Sequence, residues 1–317
     1  MLAVLSSGCS NSTMYTSPNG QGISMTLSGL YPSRPGESYA LWLEFPKASA
    51  GSKQNKIQHA NFVKELVSTF RVNADGSFTA LDTVNLVSKL GFPLALATYA
   101  IISVEKSDSI GSLPRAAFIG GDINGDAATG SSTLRTTHAD AINYDFSDMT
   151  GAITLANAPW KPASDLELYL MTATSPTQTS ASIDNLAPLP APWHYALWAV
   201  DSSTKSLPPF NIFFGTFITS SASGSEPADS EPDDNHYPYP GGRYPADSTQ
   251  PVYDLRSSGK VAVLMTLEPI TDGARPAVPY GAVILKTTIP SSAQGFSPIN
   301  LANATAQFPT ATITIHR

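Results

Sequence analysis

Charged side chains are scarce in this sequence, and protein classes that depend on them are correspondingly disfavoured. They make up 14 % of the 317 residues, against about a quarter in an average globular domain. The net charge is −7, and no stretch gathers the lysines and arginines that contact phosphate groups. We therefore expect no nucleic-acid partner.

Long apolar runs and helical periodicity are also scarce. No run approaches the roughly 20 apolar residues that a membrane-spanning helix needs. Hydrophobic residues nevertheless reach 42 %, which is enough to fill a core, and 26 prolines and 22 glycines punctuate the chain. Short apolar segments between proline and glycine turns are typical of strands. The composition therefore predicts an all-β protein.

Cysteine occurs once, at Cys9 in "MLAVLSSGCS", so no disulfide can form within the chain. An apolar stretch followed by small residues and cysteine resembles a bacterial lipobox, in which the thiol takes a diacylglycerol. Only eight residues precede Cys9, none of them basic, and Ser6 stands where leucine is usual. The resemblance implies a lipid-anchored protein of the bacterial cell envelope, periplasmic or surface-exposed, with residues 1–21 as signal remnant and tether. The alternative is a free thiol in a tail.

The tetrapeptide Tyr-Ala-Leu-Trp occurs twice, at residues 39–42 and 195–198, and indicates an internal repeat. Further blocks recur in the same order when these two sites are aligned. The matched blocks are 27–32 with 183–188, 68–70 with 215–217, 101–106 with 264–269, 134–137 with 285–288, and 145–153 with 300–308. A tandem duplication explains both the order and the offset, which is 156 at the tetrapeptide and is nearly restored, at 155, in the last block.

The repeat predicts two β-sandwich domains of immunoglobulin-like type, at 22–173 and 179–317, joined by a polar hinge at 174–181. The matched blocks are apolar and rich in β-branched residues, and Asp75-Gly76 lies between apolar flanks as in a hairpin turn. Segment 166–171 is expected to close the first domain and 311–315 the second. Tyr39, Glu105 and Leu134 should then be equivalent to Tyr195, Glu268 and Leu285.

The motifs of each repeat resemble the C-terminal domain of anti-sigma-K factors. In the first repeat they are an alanine-containing strand ending in Leu41-Trp42, a strand ending in Thr69-Phe70, the Asp75-Gly76 turn, a strand ending in Val104-Glu105, and Pro114. The second repeat has the same order, apart from the turn. The resemblance implies an extracytoplasmic β-sandwich. It does not imply control of a sigma factor, which resides in a different, helical domain of that family.

One loop carries oxygen ligands at alternate positions, namely Asp122, Asn124 and Asp126 in "GDINGDAATG". Such spacing can wrap a calcium ion. The full calcium-loop pattern is not met, because Ala127 and Thr133 occupy the positions of its glycine and glutamate. The same residues are also ordinary in tight turns. The sequence thus leaves calcium binding and a plain turn open, and no other cofactor is expected.

Aromatic side chains offer a second type of candidate site. Trp42 and Trp198 lie in apolar strands and are predicted to be core residues. Trp160 and Trp193 lie in proline-rich segments and could contact a ligand, although local proline–tryptophan packing is the alternative. The acidic, then proline- and tyrosine-rich stretch 220–254 is predicted to be a long loop. It could dock a partner through Tyr237, Tyr239 and Tyr244.

Catalytic motifs are not found in the sequence. Glu105 and Glu268 are equivalent in the two repeats, so a structural role is favoured over a catalytic pair. The five histidines are scattered, and no nucleophile elbow, zinc-protease or phosphate-loop motif occurs. We expect a non-catalytic envelope lipoprotein with a binding or structural role and an unidentified protein or glycan ligand. The alternatives are a carbohydrate-binding or adhesin module, and a hydrolase with its site between the repeats.

Overall fold

The structure is a computed structural model of the chain. It describes residues 10–16, 22–46, 62–80, 93–126, 128–157, 166–175, 178–201, 211–218, 241–242, 255–256, 259–269 and 278–316. These residues form strands and two single-turn 3₁₀ helices, Leu94–Leu96 and Thr305–Gln307. All strand pairs are antiparallel. The predicted all-β, β-sandwich class is confirmed.

The strands are numbered in chain order through the described residues. The first ten are β1 Ser10–Thr16, β2 Gly22–Ser28, β3 Glu37–Pro46, β4 Phe62–Val72, β5 Phe78–Ala80, β6 Tyr99–Lys106, β7 Ala116–Asp122, β8 Asn124–Gly125, β9 Thr129–Leu134 and β10 Gly151–Asn157. The others are β11 Leu166–Tyr169, β12 Met171–Ser175, β13 Gln178–Ala181, β14 Trp193–Asp201, β15 Asn211–Phe217, β16 Gly241–Gly242, β17 Val261–Pro269, β18 Val283–Thr288, β19 Pro298–Asn303 and β20 Thr310–His316.

The described residues divide into two compact units. The first unit comprises those up to Asp145 together with those from Phe308 onward, and the second runs from Phe146 to Gln307. In the first unit, one five-stranded sheet has the order β1-β2-β20-β9-β8 and the other β5-β4-β3-β6-β7. In the second unit, an eight-stranded sheet has the order β15-β14-β17-β18-β19-β10-β11-β16, and β12 and β13 form a hairpin.

The predicted domain boundaries are wrong at the closing strands. Strand β20, which contains the segment 311–315 expected to close the second domain, lies in the first unit and pairs along its length with β2 and β9. Segment 166–171, expected in the first domain, forms β11 and the start of β12 in the second unit. Both segments have the alternation of a strand, and sequence alternation does not specify which sheet a strand joins.

The predicted hinge at 174–181 is also wrong. Ser175 pairs with Gln178 and Ala173 with Thr179, so the described residues of this segment belong to the β12–β13 hairpin of the second unit. Its polar composition, which suggested a linker, is equally typical of a hairpin turn. Between the described residues of the two units, the chain passes from the first to the second at Asp145–Phe146.

The two Tyr-Ala-Leu-Trp segments are central strands of their units, as predicted. Strand β3 lies between β4 and β6, and β14 lies between β15 and β17. Both faces of these strands are covered, so Trp42 and Trp198 are 1 % and 0 % exposed. The prediction that both tryptophans are core residues is confirmed.

Candidate functional site

Four polar side chains lie side by side across one sheet of the first unit. Lys64 on β4 pairs with Glu44 on β3, Glu44 pairs with Tyr99 on β6, and Tyr99 pairs with Asp122 on β7. Directly opposed residues of antiparallel strands point to the same face of a sheet. This polar row shares its face with Trp42 and lies at one edge of the apolar cluster around it.

The centre of the polar row is buried and hydrogen-bonded. The Tyr99 hydroxyl donates to Glu44 Oε2, and both side chains are largely removed from solvent. Burial raises the pKa of Tyr99 well above its usual range, and the hydrogen bond to Glu44 adds to the effect. Lys64 Nζ lies 5.6 Å from the centre of the Tyr99 ring, within the range of a cation–π contact.

The loop that follows β9 packs against the polar row through His138 and Asp140. The His138 ring centre lies 5.6 Å from that of Tyr99, and His138 Nε2 lies 3.4 Å from Asp122 Oδ1. Asp140 Oδ1 forms an ion pair with Lys64 Nζ at 3.4 Å. The backbone N–H of Asp140 donates to His138 Nδ1 at 3.3 Å. Both ring nitrogens of His138 therefore have partners within the protein.

Two adjacent glycines allow this loop to approach the sheet. The backbones of Gly120 and Arg135 are joined by two hydrogen bonds of 3.0 and 2.8 Å. A Cβ at Gly120 would lie 2.8 Å from His138 Nδ1, and one at Gly121 would lie 2.5 Å from Ser132 Oγ. Side chains at these positions would displace His138 and the neighbouring strand β9.

A shallow groove of about 540 Å³ opens beside His138 in the first unit. Among the described residues, its walls contain glycine and polar residues and no aliphatic or aromatic ones, apart from the imidazole of His138. The lining residues are Gly120, Gly121, Asp122, Asn124, Ser131, Ser132, Thr133, Arg135, Thr137 and His138. Four of them carry hydroxyl groups, so the groove offers both donors and acceptors over a short distance.

One lining side chain has an unused hydrogen-bonding group. Ser132 is 5 % exposed, and its hydroxyl is buried with no hydrogen-bond partner among the described residues. Buried polar groups in native proteins nearly always have a partner.

The residues of the predicted calcium loop have separate partners. Asp126 Oδ1 accepts the backbone N–H groups of Ala128 and Thr129, both at 2.8 Å, as in a tight turn. Asp122 approaches His138 instead, and Asn124 donates to the Asp122 backbone carbonyl at 3.3 Å. Within the described part of the chain, no three His, Cys, Asp or Glu side chains are placed to share a metal ion.

The structure contradicts the prediction that Trp193 contacts a ligand. Trp193 is 2 % exposed and packs against Tyr280, with ring centres 6.0 Å apart. It is the first residue of β14, so the strand carries it into the core despite the prolines before it. Cys9 and the other predicted aromatic contacts lie outside the described residues, namely Trp160, Tyr237, Tyr239 and Tyr244.

Sequence reasoning missed the polar row and its loop. The residues are far apart in the chain, and His138 was one of five histidines without metal-ligand spacing. A signal was present at two positions, because Glu44 interrupts the apolar run "YALWLEF" and Lys64 interrupts "FVKELV". Charged residues inside apolar strands are costly to bury unless they are paired, and such pairs often mark functional sites.

Comparison with protein families, with curated proteins and with solved structures gives no match for this chain. Among the described residues, no helix has the length and apolar character needed to cross a bilayer. The case for a function therefore depends on the geometry of the polar row and the groove.

Proposed function

We propose that this chain is a non-catalytic binding protein of the bacterial cell envelope, and that its first unit binds a hydroxyl-rich ligand of the saccharide class in the groove beside His138. The observation that supports this most is the lining of the groove, with four hydroxyl side chains, Asn124, Arg135 and Asp122 around two glycines. Hydroxyl and amide groups are the natural partners of a saccharide's alternating donors and acceptors.

The engagement of His138 favours binding over catalysis. A general base needs a free ring nitrogen within reach of a substrate proton. Here Nδ1 accepts the Asp140 N–H and Nε2 faces Asp122. In this arrangement the imidazole is a rigid wall of the groove, and its orientation is held by Tyr99 from behind.

The proposal is tested by ligand-observed NMR. A panel of soluble oligosaccharides of glucose, galactose and N-acetylglucosamine is offered at millimolar concentration, and saturation transfer is measured for the full chain. Asn124→Ala and His138→Ala should abolish the signal of the bound sugar. Thr288→Ala is the control in the second unit, where Thr288 has the register position that Asp122 of the groove has in the first. Equal signals from all variants, or none with any sugar, would exclude the groove as a saccharide site.

The envelope location is supported separately by the lipobox-like segment ending at Cys9. Lipid on Cys9 would make the chain a membrane-tethered binding protein. Mass spectrometry of the protein from its native host should show a diacylglycerol thioether on Cys9, and Cys9→Ser should release the protein from the membrane fraction. A native product with an unmodified Cys9 thiol would refute this part of the proposal.

A further inference from the structure

The tyrosines of the repeated tetrapeptide make the same contacts in both units. The Tyr39 hydroxyl donates to the carbonyl of Tyr31 at 2.9 Å, and the Tyr195 hydroxyl donates to the carbonyl of Ala187 at 2.8 Å. Each acceptor lies eight residues before its tyrosine. Both rings stack on a phenylalanine of the neighbouring strand, Phe70 or Phe217, with ring centres 5.6 Å apart.

The two buried glutamates are also equivalent. Glu105 accepts from the Ser103 hydroxyl and from the backbone N–H of Arg115 at 2.8 Å. Glu268 accepts from the Thr266 hydroxyl and from the backbone N–H of Tyr280, both at 2.8 Å. In each unit the glutamate side chain therefore accepts one hydrogen bond from the hydroxyl group two residues before it and one from the backbone of the segment that follows its own strand.

Strand order extends the equivalence to a complete sheet. The order β4-β3-β6-β7 in the first unit corresponds to β15-β14-β17-β18 in the second. The order β1-β2-β20-β9 then corresponds in part to β12-β13, β10 and β19. Strand β10 pairs with β19 on one edge; on the other, an isolated bridge joins Thr150 to Asp184 just after β13, and the end of β10 pairs with β11. Strands β20 and β10 therefore occupy the same place.

The residues of these two strands match as well. Ala311 lies opposite Leu27 and Leu134, and Gly151 lies opposite Leu301. When β10 and β20 are aligned through these pairs, residues 152–155 ("AITL") of β10 match residues 312–315 ("TITI") of β20. Ile153 is then equivalent to Ile313. Leu134 is accordingly equivalent to Leu301, and its predicted equivalence to Leu285 is wrong, because Leu285 lies on β18, whose counterpart is β7.

The order of the equivalent strands along the chain is the same in both repeats, but the closing strand of each repeat lies in the other unit. In the first repeat, β1 to β9 are followed by β10, and β10 lies in the second unit. In the second repeat, β12 to β19 are followed by β20, and β20 lies in the first unit. The chain leaves the units at corresponding points, Asp145–Phe146 and Gln307–Phe308.

We propose that the chain arose by tandem duplication and that the two copies have exchanged their closing strands. The space between β2 and β9 is in this view a strand-binding site whose occupant is the C-terminal strand β20. The reciprocal site lies between β19 and the residues 182–184 that follow β13, and the first half of β10 occupies it. Because β20 is a central strand of its sheet, the first unit is incomplete without a segment that lies beyond the second.

Engineered disulfides in the full chain test the exchange, in a Cys9→Ser background. The pair Thr26→Cys with Thr312→Cys joins cross-strand partners of β2 and β20 on a solvent-facing side, so it should oxidise within one chain. The pair Ala152→Cys with Ser182→Cys should do the same for β10, since the Ala152 N–H donates to the Ser182 carbonyl at 3.2 Å. Mass spectrometry and non-reducing electrophoresis report each bond.

The unexchanged arrangement predicts the opposite pairs, Ser182→Cys with Thr312→Cys and Thr26→Cys with Ala152→Cys. Oxidation of either of these within one chain overturns the proposal, and a disulfide-linked dimer would place the exchange between chains and overturn it equally. The pair Asn124→Cys with Ser131→Cys, exposed partners on β8 and β9, is the control for the oxidation itself. Failure of the exchanged pairs under conditions in which this control forms also rejects the proposal.

Discussion

The two units differ in chemistry at the polar row. In the first unit the row reads Lys64, Glu44, Tyr99, Asp122; the register-equivalent positions of the second read Asn211, Val200, Ala262, Thr288. The apolar cluster around Trp198 includes Val200 and Ala262, where the first unit has a buried carboxylate and phenol. Because the second unit keeps the same strand order without these groups, the fold does not require them.

Burial of ionisable groups is costly, and a well-packed apolar replacement is often neutral or stabilising. Glu44 and Tyr99 therefore call for an explanation beyond stability. Their position behind His138 supplies one, since the Tyr99 ring packs against the imidazole that lines the groove of the first unit. Four sets of substitutions, from the largest expected effect to the smallest, test the comparison between the units.

The largest effect is expected from Ile313→Asp in β20. Ile313 is fully buried, so the new carboxylate would lie in the core without a partner, and we expect a loss of at least about 4 kcal/mol in the free energy of unfolding. Thr312→Asp, on the exposed side of the same strand, should cost less than about 1 kcal/mol. Urea denaturation measures both values.

Hydrogen exchange locates the damage done by Ile313→Asp. Backbone amides of β2 and β9 should lose their protection first, while those of β14 and β17 keep it for longer. The counterpart Ile153→Asp should show the reverse order. Loss of protection in β13 and β19 after Ile313→Asp would contradict the assignment of β20 to the first unit.

A smaller difference is expected between the two tryptophans. Trp42 Nε1 donates to Ser103 Oγ at 2.8 Å, whereas Trp198 Nε1 is buried and has no partner among the described residues. Both Trp→Phe substitutions remove ring volume, but only Trp42→Phe removes a hydrogen bond. We expect Trp42→Phe to cost about 1 kcal/mol more than Trp198→Phe in chemical denaturation. Equal costs would mean that the Trp42 hydrogen bond contributes nothing net.

These outcomes also show what the sequence can predict. The repeated tetrapeptide places Trp42 and Trp198 in central buried strands, because only strands covered on both faces have such uninterrupted apolar character. The position of β20 is not predictable in this way, since the segments 151–155 and 311–315 are both apolar alternating strands that fit the same slot. The connections of the chain determine which of the two segments occupies the slot, and the sequence of either segment carries no information about those connections.

The candidate site was less predictable than the fold. Asp122 is visible as a loop carboxylate, but its pairing with His138 depends on two glycines that let the loop approach β7. Tyr99 and Glu44 face each other only through the register of β3 and β6. Long-range register follows from the whole sheet, and single-sequence patterns carry little information about it.

The next effect concerns Glu105 and pH. Burial raises the pKa of Glu105 above its ordinary value of 4.5, while the hydrogen bonds from Ser103 and Arg115 act in the other direction. A folded state that binds the proton more tightly is most stable at low pH and loses stability as pH rises from the unfolded pKa through the folded one. Glu105→Gln, which is neutral throughout, should remove this decline.

Urea denaturation of both proteins between pH 4 and 8 measures this difference. The advantage of Glu105→Gln over the wild type should grow with pH across that interval and then level off. A constant difference at every pH would show that the carboxyl group of Glu105 has the same proton affinity in the folded and the unfolded chain.

The smallest change in stability is expected when the polar row is given the character of its counterpart. Glu44→Val introduces the residue found at Val200, and Tyr99→Phe removes the hydroxyl that donates to Glu44. Tyr99→Phe alone deprives a buried carboxylate of a hydrogen bond and should cost about 1–3 kcal/mol. The double variant removes both partners together, so its stability should stay within about 1 kcal/mol of the wild type, and the two substitutions should be strongly non-additive.

The same double variant separates stability from binding. If the polar row positions His138 for a ligand, a chain with near-wild-type stability should lose the saturation-transfer signal of the bound sugar. If the double variant instead unfolds at least as easily as Tyr99→Phe alone, the row is part of what stabilises the first unit, and the comparison with Val200 and Ala262 does not hold. If the double variant keeps both its stability and its sugar signal, the groove remains the binding site, but the polar row makes no contribution to binding. The comparison of the two units therefore yields a variant in which fold and function can fail independently.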